Sequence, residues 1–132
     1  MKKLAYASLI YAVLGLALGV FYREFTKFNQ FQGYTQLRGL HVHVLTLGAL
    51  FFLLVLVLHR LLDIGGKKGF SLWFILYHAG LAGTAAAMLT RGILQVFGSD
   101  MAGLNHIAGL FHTLLGIAVV WFFVLVVKTA KD

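Results

Sequence analysis

The stretch Arg38-Gly-Leu-His-Val-His-Val-Leu-Thr-Leu-Gly-Ala-Leu-Phe-Phe-Leu-Leu-Val-Leu-Val-Leu58 decides the fold. From Leu40 to Leu58 it carries no Asp, Glu, Lys or Arg. Its length is close to the ~20 residues that a helix needs to cross ~30 Å of hydrocarbon. Two histidines, His41 and His43, stand at its start. Side chains two apart on a helix point about 200° apart, so one helix presents an imidazole to each of two neighbours. Ionisable groups at membrane depth are costly and are usually functional. Imidazole is also the commonest metal ligand.

Three further runs share this character, and the four together are Leu4–Tyr22, Leu40–Leu58, Phe70–Leu89 and Gly103–Val127. The composition agrees. Of 132 residues, 61% are hydrophobic and 11% charged, about half the charge of a soluble domain. Such a chain belongs in a bilayer, and its length leaves room for one domain. Met1-Lys2-Lys3 before an apolar run resembles a secretion signal. Phe21, Tyr22 and Arg23 follow that run in place of a small-residue cleavage site, so a permanent first span is expected. The connections Arg60–Gly69 and Arg91–Ala102 are short, which favours antiparallel neighbours. The expected fold is an all-α membrane protein, a single up-down four-helix transmembrane bundle over residues 1–132.

Orientation follows from Lys and Arg. Lys2, Lys3, Arg60, Lys67, Lys68, Lys128 and Lys131 gather at one side; Arg23, Lys27, Arg38 and Arg91 at the other. Positive-inside counting places both termini in the cytoplasm, so His41, His43 and His106 lie near the outer face. The net charge of +7 sits at the ends of apolar segments and not along one polar face, which argues against nucleic acid as a partner. In the first outer loop, Phe25, Phe28, Phe31 and Tyr34 recur every third residue among polar side chains. They form either a short amphipathic helix in the headgroup layer or an aromatic belt.

Several chemistries are excluded. The chain has no cysteine, which removes disulfides, thiolate metal sites and covalent haem attachment. There is no proline to kink a helix. No carboxylate lies within a span, against an ion-coupled transporter or a carboxylate proton pump. No half repeats the other, against an inverted-repeat transporter. Small residues (Gly15, Gly19, Gly80, Gly83, Ala85 to Ala87, Gly109, Gly116) allow close helix packing or make room for a flat cofactor.

Depth sorts the other histidines. His112 lies ~13 Å into the fourth span at 1.5 Å per residue. It needs a partner there, either a metal or a hydrogen bond to a carbonyl or to Thr46, Thr84 or Thr113. His78, near mid-bilayer, is structural, part of a proton path or a second metal ligand. His106 is interfacial, and His59 is a flanking residue that reaches the headgroups. Arg38 and Arg91 flank the outer ends of the second and third spans. They anchor to headgroups or pair with the propionates of a haem just below.

Tyr22-Arg-Glu-Phe-Thr-Lys-Phe-Asn29, Gly33-x-Thr35-x-Leu37, His41-x-His43-x-Leu45-x-Leu47-Gly48, Arg91-Gly92-Ile93 and Gly103…Gly109-x-x-His112…Gly116 together resemble a family of small bacterial four-helix membrane proteins of unknown function. The likeness covers essentially the whole chain. More distantly, the H-x-H-x4-G of the second span resembles the haem-ligating helices of haem-copper oxidase catalytic subunits and of NnrS-type haem and copper membrane proteins. In those oxidases three four-helix arcs make twelve helices, and one H-x-H serves two haems. His41 and His43 match that pair, with Gly48 beyond it. The resemblance implies a homotrimer in which His41 of one subunit and His43 of the next ligate one iron. The chain lacks the oxidases' His-His dipeptide, so a self-sufficient oxidase or reductase is not implied.

The resulting expectation is a b-type haem protein in the cytoplasmic membrane of a bacterium. It acts in electron transfer or in redox or gas sensing, with a redox partner protein or a quinone. Two rivals accompany it. One holds haem within a subunit between His43 and His112, against which their estimated depths, ~8–10 Å apart at 1.5 Å per residue, count. The other is a copper- or zinc-binding membrane protein or oxidase assembly factor, with His78, His106 and His112 as further ligands, since histidines without cysteine suit those metals. A purely structural membrane subunit is a third possibility.

Overall fold

The computed structural model describes residues 1–130. Lys131, one of the charges counted toward the cytoplasmic side, lies outside them. The described residues form four long helices: α1 (Lys2–Phe28), α2 (Leu37–Leu62), α3 (Phe70–Val96) and α4 (Leu104–Thr129). Each is long and apolar enough to cross a membrane. A short 3-10 turn, Ile64–Gly66, joins α2 to α3.

All four helices outrun the apolar runs that mark them in the sequence. α1 continues to Phe28 because nothing between Tyr22 and Phe28 breaks a helix. No separate amphipathic helix follows it. Phe25 packs on Phe21 and Phe97, Phe28 is exposed, and residues 31–35 are irregular. α2 starts at Leu37, three residues before the apolar run. The buried Thr35 hydroxyl accepts the Leu37 N–H and donates to the Gly92 carbonyl of α3 at 2.7 Å. A side-chain oxygen that satisfies a free N–H is what lets a helix begin there.

Contacts run antiparallel between successive helices. Along α1 and α2, Ser8 meets Ala49, Gly48 meets Tyr11, Gly15 meets Leu45 and Gly19 meets His41. Between α3 and α4, Trp73 meets Ala118, Gly80 meets Leu115 and Arg91 meets Asn105. α1 lies along α2, and α4 lies along α3 and reaches α2 through Phe51 and Phe122. No hydrogen bond or ring contact joins α1 to α4 among the described residues.

Small residues set the spacing. A Cβ on Gly80 would lie 2.8 Å from the Leu115 backbone nitrogen. Only glycine lets the two backbones approach so closely. Gly15 and Gly48 interlock: Leu45 fills the room at the first and Tyr11 at the second. For these glycines the packing reading holds. Gly109 and Gly116 differ, because no other group lies within 4 Å of where their Cβ would be.

The core is aromatic at the end bearing the Lys-rich turn. Phe51 stacks on Tyr77 at 4.6 Å, and Trp73, Phe52 and Phe122 close around them. At the other end a smaller core of Leu37, Leu40 and Val44 carries the histidines.

Between the two, Val44–Leu50 of α2 is a π-helical turn. Such a turn displaces backbone hydrogen bonds, and within hydrocarbon the displaced carbonyls need other donors. Tyr77 donates its hydroxyl to the Leu47 carbonyl and Ser8 to the Ala49 carbonyl, both at 2.8 Å. Tyr77→Phe keeps the ring stack and removes one donor. It is expected to lower stability by about 1–2 kcal/mol, read as a lower unfolding midpoint in detergent. An unchanged midpoint would show that the wide turn needs no such donor.

Candidate functional site

The H-x-H of α2 presents its rings to two neighbouring helices. His41 faces α1. Its ring lies 6.2 Å from that of Tyr22, nearly parallel to it, and against Gly19. The His41 Nδ1 is buried and has no hydrogen-bond partner. His43 faces α4, where its ring meets that of His112 edge-on, with centroids 6.3 Å apart.

The His43–His112 pair corrects an expectation. Counting from Leu40 and Gly103 separates the two residues by ~8–10 Å in depth at 1.5 Å per residue. The true helix starts, Leu37 and Leu104, bring the difference down to ~3 Å by the same rise. The depth argument against pairing these two histidines therefore falls. Thr35-Gln36 ahead of Leu37 was the signal of the earlier start.

The chemistry of His43 is set by its neighbour. Its Nδ1 lies 3.0 Å from the Gly39 carbonyl oxygen, which can only accept, so Nδ1–H donates. The proton is thereby held on Nδ1 and the lone pair on Nε2. This is the tautomer in which histidines bind metals, with the second nitrogen tied to a carbonyl. His112 is exposed on the outward face of α4. On the same helix lie Gly109 and Gly116, with open space over both. Two imidazoles binding one metal at about 2.0–2.1 Å have ring centres roughly 6 Å apart.

The remaining candidates are placed as follows. Gly48 lies under the Tyr11 ring, so its room is already filled. Arg38 is exposed and makes no ion pair among the described residues. Arg91 bonds Asn105 Oδ1 and ties the outer ends of α3 and α4 together. His106 is exposed in the first turn of α4, away from the other histidines. His78 bonds Tyr11 through Nδ1 and the tyrosine hydroxyl at 2.7 Å and stacks on Phe52 at 4.6 Å. Sequence reasoning missed that pairing, because nothing in either residue's own helix marks the other.

The His59 Nδ1 accepts the Gly65 N–H at 3.0 Å, and its side chain is 17% exposed. It braces the turn after α2. Asp63 also comes within 3.7 Å of that Nδ1.

Among the described residues no three His, Cys, Asp or Glu side chains gather into a metal-sized group. The six histidines are thus distributed over separate places, with one facing pair. Residues 1–129 match the model of the family described as a protein of unknown function (DUF2871). The chain belongs to the DUF2871 family. That membership covers both helices of the His43–His112 pair. No curated protein and no solved structure matches the chain.

Proposed function

We propose that this chain is a b-type haem protein of the bacterial cytoplasmic membrane that carries electrons. The supporting observation is the facing pair of imidazoles, His43 and His112, with His43 held in its ligating tautomer by Gly39. The number of donors favours haem over a bare ion. A structural zinc site asks for four protein ligands, and the described residues gather no three. Haem brings four nitrogens of its own and asks the protein for one or two.

His43 and His112 would hold the iron. Gly109 and Gly116 leave room for the ring's edge, and Arg38 stands free to meet a propionate. When bound, such a group supplies a one-electron couple whose potential is set by its axial ligands and burial. Two imidazoles leave no open position, which suits electron transfer better than turnover or gas capture. The Lys-rich end faces the cytoplasm on the positive-inside rule. A quinone or a redox protein is the exchange partner.

A second reading keeps the homotrimer, with His41 of one subunit and His43 of the next on one iron. The likeness of H-x-H to the oxidase helices favours it. Copper in place of haem is the alternative occupant. The test is optical and metal analysis of protein purified in detergent from cells supplied with haem precursors. A Soret band with near-stoichiometric iron is expected. Colourless protein carrying copper would replace the reading, and colourless protein free of both metals would end it.

A further inference from the structure

A cleft of about 420 Å³ opens between α1 and α3 at the Lys-rich end, far from the histidine pair. Farther in, Tyr11 of α1 bonds His78 of α3. Leu4, Phe70, Phe74 and Ile75 make an apolar wall, and Met1, His59 and Gly65 complete the lining. Lys3 and the Ser71 hydroxyl stand at the rim, and no carboxylate lines the cleft. Lys67 and Lys68, both exposed, precede Phe70 by three and two residues. Asp63, also exposed, is the one acidic residue at this end among the described residues.

We infer that this cleft holds one anionic phospholipid of the adjoining leaflet, its phosphate on Lys3 and Ser71 and the start of an acyl chain against Phe74 and Ile75. Basic pockets between membrane helices on the cytoplasmic side recognise anionic headgroups in this way. An apolar wall below a cationic rim matches the order of groups along a phospholipid at an interface. A neutral amphiphile such as a quinone would fill the wall but bring no charge to match the lysine. The inference rests on reading the helices as membrane spans and is independent of the haem proposal.

The test is native mass spectrometry of the detergent-purified protein with equimolar palmitoyl-oleoyl phosphatidylglycerol and phosphatidylcholine. The wild type is expected to retain one phosphatidylglycerol in preference to phosphatidylcholine. Lys3→Gln is expected to reduce that preference about fivefold, the worth of one lysine near an anionic surface. Ile75→Trp, which fills the cleft, is expected to lose the adduct. Lys128→Gln, a charge at the same end outside the cleft, is expected to leave it unchanged. Circular dichroism checks that each variant keeps its helix content. Equal retention of both lipids by the wild type overturns the inference. So does a fall with Lys128→Gln as large as with Lys3→Gln, or an adduct that survives Ile75→Trp.

Discussion

Replacing His43 with alanine is expected to cut the haem content of the purified protein at least tenfold. Even the loss of a group that merely orients a metal ligand costs about 10- to 100-fold in affinity, and the ligand itself is worth more. His112→Ala is expected to act in the same direction, because the two rings face each other at 6.3 Å. The measurement is the Soret absorbance per protein, with circular dichroism as the folding control. Added imidazole should restore part of the band in either variant, since it refills the vacated position. His41→Ala separates the two modes of ligation: the band stays if one chain holds the iron, and goes if His41 of a neighbouring copy does. Undiminished bands in both His43→Ala and His112→Ala would remove this pair from the proposal altogether.

The second large effect concerns the scaffold. Trp73→Ala is expected to cost about 3–5 kcal/mol, the range for deleting a large buried aromatic. Trp73 is fully buried, and its ring lies against Phe51, Phe52, Tyr77 and Phe122. Its indole N–H donates to the Ala118 carbonyl of α4 at 2.8 Å. Truncation leaves a void where three helices meet and takes a donor from that carbonyl. Trp73→Phe keeps most of the bulk and is expected to cost about 1 kcal/mol, near the net worth of one hydrogen bond. The midpoint of unfolding in a denaturing detergent series reads both. A Trp73→Ala midpoint equal to that of the wild type would show that the aromatic cluster does not hold α3 to α4.

The spans were legible in the sequence because hydrocarbon imposes a simple demand: long apolar runs with polar ends. Their boundaries were less so. Leu37 and Phe28 lie outside the apolar runs, and what extends the helices there is a hydroxyl on Thr35 and the absence of any breaker after Tyr22. The H-x-H spacing disclosed two imidazoles on opposing faces. It could not disclose that α1 and α4 of the same chain would receive them. That outcome depends on which helices the glycines bring close, and a glycine marks a near approach without naming the partner. Tyr11 and His78 show the same limit, being 67 positions apart and joined only once α1 and α3 converge. The π-turn left no trace in composition, for it contains no proline and the donors to its carbonyls come from α1 and α3.

That wide turn stands between the imidazole half of α2 and its aromatic half. Each residue advances a helix by about 100°, so the chain length within Val44–Leu50 sets the phase of one half against the other. His43 owes its aim at His112 to this count of residues as well as to the bond its ring makes to Gly39. Removing one residue from the segment would swing the upper half like a misindexed dial, carrying both imidazoles off their targets while Phe51 and Phe52 stayed seated.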